Sequence, residues 1–209
     1  MPTQIERFSR ALRQRAPDFA VQLKDDDIER LSSYYELLLK WNPSLHLVAP
    51  CSPEEFATRH ILESLTLLRY LPRDASVADV GSGAGVPIIP CLIMRDDLRA
   101  TLIESSQKKV VFLREAVRQL PHPPQLIATR FEEIPAPAVD VVTCRAIDRF
   151  QQVLPQLIDW APRSSTLMFF AGPSLRERIE ALLPSAHAEL VPGSEQRFVI
   201  IAGRNDPLP

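Results

Sequence analysis

The run Asp79-Val80-Gly81-Ser82-Gly83-Ala84-Gly85-Val86-Pro87 constrains this chain more than any other stretch. The apolar residues Val77 to Val80 deliver three alternating glycines to the start of a second apolar, periodic segment. Such a run predicts a strand, a tight turn and a helix start. Glycine adopts positive φ at little cost and lets a ligand approach the backbone without a Cβ in the way. The N–H groups of the following helix are then expected to point at the polar end of a nucleotide-like ligand. Spacing narrows the ligand. A dinucleotide fingerprint needs Gly-x-Gly-x-x-Gly, whereas the sixth position here is Val86 and the third glycine comes one residue early, at Gly85. A nicotinamide-dependent dehydrogenase is a poor reading for that reason.

Gly-x-Gly-x-Gly is instead the pattern of enzymes that use S-adenosylmethionine (SAM), and Asp79, Gly81, Gly83, Gly85 and Val86 become candidate cofactor residues. The next expected strand, Ala100 to Ile103, ends in Glu104, about 20 residues further on, where a ribose-binding acid belongs in this class of fold. Alone, Glu104 reads as an exposed acid capping the helix that starts near Ser105 or Ser106. After this glycine loop the ribose role is the better reading, because a carboxylate there accepts hydrogen bonds from both ribose hydroxyls.

The 209 residues, 45% apolar and 24% charged, suffice for one well-buried α/β domain with an added subdomain. A formal charge of −2 argues against an overall electrostatic grip on nucleic acid, though not against local basic patches. Lys24, Lys40, Lys108 and Lys109 are the only lysines, so arginine carries almost all positive charge. That suits bidentate phosphate contacts and equally reflects genome composition. Cys51, Cys91 and Cys144 form an odd set without metal-ligand spacing, which points to a reducing compartment with neither a disulfide framework nor structural zinc. Met1 to Arg15 has no signal-peptide pattern, and no apolar run approaches the ~20 residues needed to span a bilayer. The expectation is a cytoplasmic monomer with no membrane, DNA or metal partner.

Helical stripes precede the glycine loop: Ile5, Phe8 and Leu12, then Ile28, Leu31, Tyr35, Leu38 and Leu39, then Phe56, Ile61, Leu65 and Leu68. Pro17, Pro43, Pro50, Pro53 and Pro72 are read as their punctuation. From Ser76 the period changes to short β-rich runs: Val77 to Val80, Ala100 to Glu104, Gln125 to Ala128, Val139 to Thr143, Thr166 to Phe170, Glu189 to Val191 and Arg197 to Ile201. Strands alternating with helices imply a mostly parallel seven-stranded sheet with helices on both faces. The last two, linked by Pro192-Gly193-Ser194, read as a hairpin that places an antiparallel strand at the sheet's end. The expected organisation is an N-terminal helical region over 1–72 and a compact α/β domain over 73–209.

Six short motifs, in order, resemble the bacterial ribosomal RNA small subunit methyltransferase G family, also called the glucose-inhibited division protein B family. They are Lys40-Trp41-Asn42, Arg59-His60-Ile61-Leu62-Glu63-Ser64-Leu65, Asp79 to Pro87, Lys108-Lys109-Val110-Val111-Phe112-Leu113, Arg130-Phe131-Glu132-Glu133 and Arg145-Ala146. The resemblance runs from about Tyr34 to Ile201. It implies a Rossmann-like class I SAM-dependent methyltransferase fold behind a helical extension. It also implies methylation of N7 of one guanine in small-subunit ribosomal RNA, with that RNA or the 30S particle as partner. Gly81 and Val86 would line the SAM pocket, Phe131 and Glu132 would hold the adenine end, and Arg145 would sit beside the cofactor. Phe131 reads equally as a core aromatic. For Arg145 three readings compete: cofactor contact, RNA phosphate anchor, or a surface partner of Asp140 or Asp148, with the first two favoured. Arg59, His60, Lys108, Lys109 and Arg197 are candidate RNA contacts. Two adjacent lysines also suit a solvated helical face, and a lone histidine suits a structural role.

Guanine N7 carries an in-plane lone pair and no proton, so its methylation needs alignment rather than a general base, and no catalytic base is assigned. The fourth strand is followed by no Asn/Asp-Pro-Pro-aromatic loop of the kind usual in amino-group methylation. Cys144 lacks the Pro-Cys or second-cysteine context of pyrimidine C5 chemistry and is expected to pack on the sheet. The chain departs from the family pattern at His46-Leu47-Val48, at Glu63 in place of Asp, and at Pro87-Ile88 in place of Pro-Gly. After the fifth strand, Phe169-Phe170-Ala171-Gly172 lacks the usual lysine, which bears on RNA affinity. Methylation of a small molecule or protein, or a non-catalytic RNA-binding or assembly role on the same fold, are the alternatives.

Overall fold

The computed structural model describes residues 2–145, 147 and 149–203. The chain opens with helices. α1 (Gln4–Arg15) starts at a reciprocal cap in which the Thr3 hydroxyl accepts from the Glu6 N–H at 3.1 Å and the Glu6 carboxylate accepts from the Thr3 N–H at 2.6 Å. α2 (Asp25–Leu45) places Asp25, Asp26 and Asp27 in its first turn, where the helix dipole favours negative charge. Pro43 does not end it. The ring costs one N–H bond only two residues before the helix stops, and the Asn42 side chain clamps the exit by bonding the Val48 N–H and C=O. α3 (Pro53–Phe56), capped by Ser52, runs into a π-helical turn over Ala57–Leu62 and then α4 (Glu63–Leu65).

The sheet follows: β1 (Ser76–Val80), α5 (Ile88–Met94), β2 (Arg99–Ile103), α6 (Gln107–Ala116), β3 (Gln125–Ile127), β4 (Val141–Arg145), α7 (Phe150–Trp160), β5 (Thr166–Ala171), α8 (Pro173–Leu182), β6 (His187–Leu190) and β7 (Phe198–Gly203). The order is β3-β2-β1-β4-β5-β7-β6. Strands β1 to β5 are parallel, and β7 runs antiparallel between β5 and β6. The expected hairpin is present, but its second strand inserts beside β5, so the antiparallel strand lies one place inside the edge. β4 begins two residues later than its apolar run, because Asp140 turns back to bond the Ser76 N–H and hydroxyl. That shift carries the strand through to Arg145.

Side chains alternate across the sheet into two apolar clusters. Val77, Leu102, Val141, Met168, Val199 and Ile201 meet α1 to α6 on one face, while Ala78, Val80, Val142, Cys144, Leu167 and Phe169 meet α7 and α8 on the other. Both faces are covered, as expected of a parallel sheet. The N-terminal helices have no separate core: Phe8, Leu31 and Leu62 belong to the same cluster as β7. Among the described residues no helix is long and apolar enough to cross a membrane.

Candidate functional site at the strand ends

Strand order reverses between β1, which leads outward to β2 and β3, and β4, which leads the other way. Ligands of such sheets bind at the carboxyl ends of the strands flanking that point. The loop after β1 stands there. Gly81, Gly83 and Gly85 have φ of +72°, +52° and +86°. A Cβ on Gly81 would approach Ile147 Cγ1 to 3.2 Å, and one on Gly85 would sit 2.3 Å from Ile89 Cδ1, whereas one on Gly83 would meet nothing nearer than 3.6 Å. Gly85 therefore permits packing of the loop on α5, and Gly83 leaves space above the loop. The expected helix N-terminus contributes little: Pro87 and Pro90 have no N–H, and Ile89 donates to the Gly85 carbonyl at 2.7 Å. Polar recognition falls to the loop itself and to its carboxylate neighbours.

Glu104 is the first of these. It is 7% exposed, and its two oxygens accept from the Gly83 N–H at 2.8 Å and the Ser106 N–H at 2.7 Å. The same side chain braces the glycine loop and the entry to α6, so the two sequence readings of Glu104 are not exclusive. Its remaining lone pairs border a cavity of about 320 Å³ lined also by Gly81, Lys109, Phe131, Glu132, Ile147 and Gln152. That volume falls in the range of small-ligand sites. Phe131 reaches the cavity wall, but its ring is 3% exposed and packs edge-on to Trp160 at 5.5 Å, so the core reading holds for most of the ring. Glu132 is exposed at the rim. Of the lysine pair, Lys109 lines the cavity and Lys108 is exposed outside it.

Asp79 lies below the loop, fully buried. Its Oδ1 accepts from the Thr143 hydroxyl at 2.8 Å, and its Oδ2 is buried without a partner. Burial pushes its pKa up to about 7. The loop is propped from beneath by Tyr34 of α2, whose hydroxyl donates to the Ala84 carbonyl at 2.5 Å; burial drives this phenol well above its ordinary pKa. Val86 is half-buried against the first cluster.

Arg145 points to the helical face. Its guanidinium donates to the Arg59 carbonyl at 2.5 Å and to Ser64 Oγ at 3.4 Å, pairs with Glu63 at 3.3 Å and lies 4.8 Å from the centre of the Phe170 ring. Asp140 is engaged by Ser76 instead, and Asp148, like Ala146, lies outside the described residues. Glu63 also pairs with Arg197 at 2.7 Å. Nearby, the His60 ring packs tilted against Phe56 with centres 4.9 Å apart; burial, then Arg145, Arg59 and Arg197, hold it neutral with a pKa of about 3. The structure thus sorts the predicted residues into two groups. Gly81, Glu104, Phe131, Glu132 and Lys109 share the cavity, while Arg59, His60, Arg145 and Arg197 gather around Glu63. Tyr34 and Glu63 were not anticipated. Tyr34 hides in an apolar stripe, but an acid inside Ile61-Leu62-Glu63-Ser64-Leu65 is a legible sign of a buried charge, since such residues are rarely buried unpaired.

A model of the family described as rRNA small subunit methyltransferase G matches residues 27–198. The chain belongs to that family. The ribosomal RNA small subunit methyltransferase G of Halorhodospira halophila is 34% identical over 194 residues, covering 92% of this chain and 92% of the relative. Its counterpart in Xanthomonas campestris pv. campestris is 34% identical over 194 residues, covering 89% and 91%. Among solved structures, magnesium protoporphyrin IX methyltransferase from Synechocystis, determined with bound SAM, aligns with a TM-score of 0.61 at 15% identity over 88% of this chain and 99% of that one. A ribosomal protein L11 methylase from Lactobacillus delbrueckii subsp. bulgaricus aligns with a TM-score of 0.56 at 14% identity over 70% and 79%. These likenesses establish the class I methyltransferase fold. The site also fits SAM chemically. Glu104 suits a ribose diol, and the space over Gly83 accepts a ligand at backbone distance.

Proposed function

We propose that the protein is a SAM-dependent methyltransferase that modifies N7 of a guanine in small-subunit ribosomal RNA. The observation that carries the cofactor reading is Glu104, a buried carboxylate locked to the glycine loop by the Gly83 N–H and facing a cavity of ligand size. Membership of the rRNA methyltransferase family supports the substrate. On this reading Glu104 holds the ribose hydroxyls, Phe131 and Glu132 border the adenine end, and Asp79 serves the cofactor from beneath the glycine loop. Bound SAM supplies an electrophilic methyl carbon on a sulfonium. The chain's part is to exclude water and align the guanine with that carbon, because N7 has no proton to lose. No general base is needed. Arg59, His60, Lys108, Lys109 and Arg197 serve the RNA, in a 30S particle, and the protein works as a cytoplasmic monomer away from membranes and DNA.

Calorimetric SAM binding by wild type and Gly81→Arg, followed by methyl transfer to unmodified 30S subunits, tests this. Expected are SAM binding by wild type, none by the folded variant, and label recovered as 7-methylguanine. Binding without transfer moves the substrate to a small molecule or protein. Absence of SAM binding leaves only an RNA-binding or assembly role.

A further inference from the structure

Glu63 is the most deeply buried acid in the described chain that bonds two arginines. Its side chain is 2% exposed; Oε1 accepts from Arg197 Nε at 2.7 Å and Oε2 pairs with Arg145 at 3.3 Å. Burial pushes the Glu63 carboxyl up and the Arg145 guanidinium down, against the direction in which pairing shifts each. Desolvation thus outweighs attraction, and an ion pair of that kind adds little stability compared with apolar packing. What it does supply is orientation. Arg145 is the last residue of β4, beside the loop that follows β1. Arg197 immediately precedes β7, is 39% exposed, and lines a groove of about 380 Å³ of mixed charge, where Arg15 and Arg59 stand with Glu54 and Glu55 and Arg59 pairs with Glu55 at 2.6 Å. The π-helical turn that carries Arg59 presents that residue's carbonyl to Arg145. One helical segment therefore grips the arginine at the end of β4, beside the glycine loop, and, through the same carboxylate, the arginine at the surface groove.

We propose that Glu63 is a positioning residue for methyl transfer, its buried carboxylate fixing Arg145 and Arg197 at a set separation so that RNA held at the groove is registered with the cofactor side. This rests on the RNA methyltransferase reading above. It assigns Glu63 no contact with either substrate.

The test compares wild type, Glu63→Gln, Glu63→Asp, Arg197→Ala and the double variant Glu63→Gln/Arg197→Ala. It measures kcat and KM for 30S particles, SAM affinity by calorimetry, and thermal unfolding. Glu63→Gln is expected to bind SAM within about twofold of wild type while losing about tenfold to a hundredfold in kcat/KM for 30S, the scale of a small misplacement. Arg197→Ala is expected to lose a similar factor, the double variant no more than the larger single loss, because both changes break the shared Glu63–Arg197 link, and Glu63→Asp to recover part of the loss. Arg197→Ala, at a half-exposed position, keeps the comparison readable should Glu63→Gln not fold. Unchanged kcat/KM with only a lower melting temperature, loss of SAM affinity in step with transfer, or additive losses in the double variant would each overturn the proposal. A wild type inactive on 30S refutes the underlying reading and the proposal together; an active wild type with any of those three results refutes the proposal alone.

Discussion

Gly85→Ala separates the glycine that the fold needs from the one that the ligand needs. Gly85 has φ +86°, and an added Cβ would lie 2.3 Å from Ile89 Cδ1 and 2.8 Å from Ile89 Cγ1, with Ile89 itself wholly buried. A left-handed backbone costs a non-glycine residue about 1–2 kcal/mol. Forcing a methyl into a packed core costs about 1–3 kcal/mol more. The expected loss is about 2–5 kcal/mol, a large part of the 5–15 kcal/mol typical of a domain. Gly83→Ala carries only the backbone cost of about 1–2 kcal/mol, since its Cβ would meet nothing nearer than 3.6 Å. Gly83→Ala should therefore fold yet bind SAM weakly, and urea denaturation followed by calorimetry reads both. The clash can also be relieved. Ile89→Ala alone costs about 2–5 kcal/mol, and combined with Gly85→Ala it should cost about 1–3 kcal/mol less than the sum, because the new methyl occupies vacated space. A Gly85→Ala variant within about 0.5 kcal/mol of wild type, or strict additivity with Ile89→Ala, refutes the packing argument.

Glu104→Gln should leave far-UV circular dichroism unchanged while weakening SAM about tenfold to a hundredfold, since hydrogen bonds to a charged acceptor contribute about 1.5–3 kcal/mol; equal calorimetric affinity would rule out the ribose role. Tyr34→Phe strands the Ala84 carbonyl in the core and should cost about 1–3 kcal/mol in urea denaturation together with some SAM affinity. An unaltered unfolding midpoint would mean that Tyr34 does not support the loop. Asp79 retains its proton in the native state up to about pH 7, against an ordinary value of 3.8, so its contribution to stability is full below about pH 4 and is lost as pH rises through 7. Relative to wild type, ligand-free Asp79→Asn should gain stability between about pH 4 and pH 7, by at most about 1.4 kcal/mol per pH unit. A difference independent of pH in urea midpoints would show that Asp79 is ionised throughout.

The central strands were legible because β1, β4, β5 and β7 are runs rich in β-branched or aromatic residues, whereas the edge strands β3 and β6, Gln125–Ile127 and His187–Leu190, carry a weaker signal and were placed by the alternation around them. The glycine loop and Glu104 were legible for a related reason: their spacing is set by the backbone path from one strand end to the next. Pro43 misled because its cost depends on how many helical residues follow it, which local sequence does not fix. The place of β7 was hidden for a different reason, since insertion beside β5 is a choice of partner and not of conformation. Arg145 illustrates the limit at the site. The expected fourth strand stopped at Thr143, whereas β4 runs on to Arg145, whose partner, Glu63, lies 82 residues away on a helix. No local pattern announces a long-range counterion; only the oddity of an acid within an apolar helical run points to it.

The shared core of the helical extension also orders the protein's biogenesis. Phe8, Leu12 and Leu31 emerge from the ribosome first, and α1 is covered by α2, α3 and the π-helical turn, while the same apolar cluster reaches on to Val199 and Ile201 of β7. Helices that leave the exit tunnel early can pack on one another at once, whereas α2 meets α5 and α6 only after the first strands have been made. Contacts of high sequence separation are therefore expected to close after the helical extension has begun to pack. Truncation before β7 would leave β5 an open edge, the kind of unpaired strand that seeds aggregation.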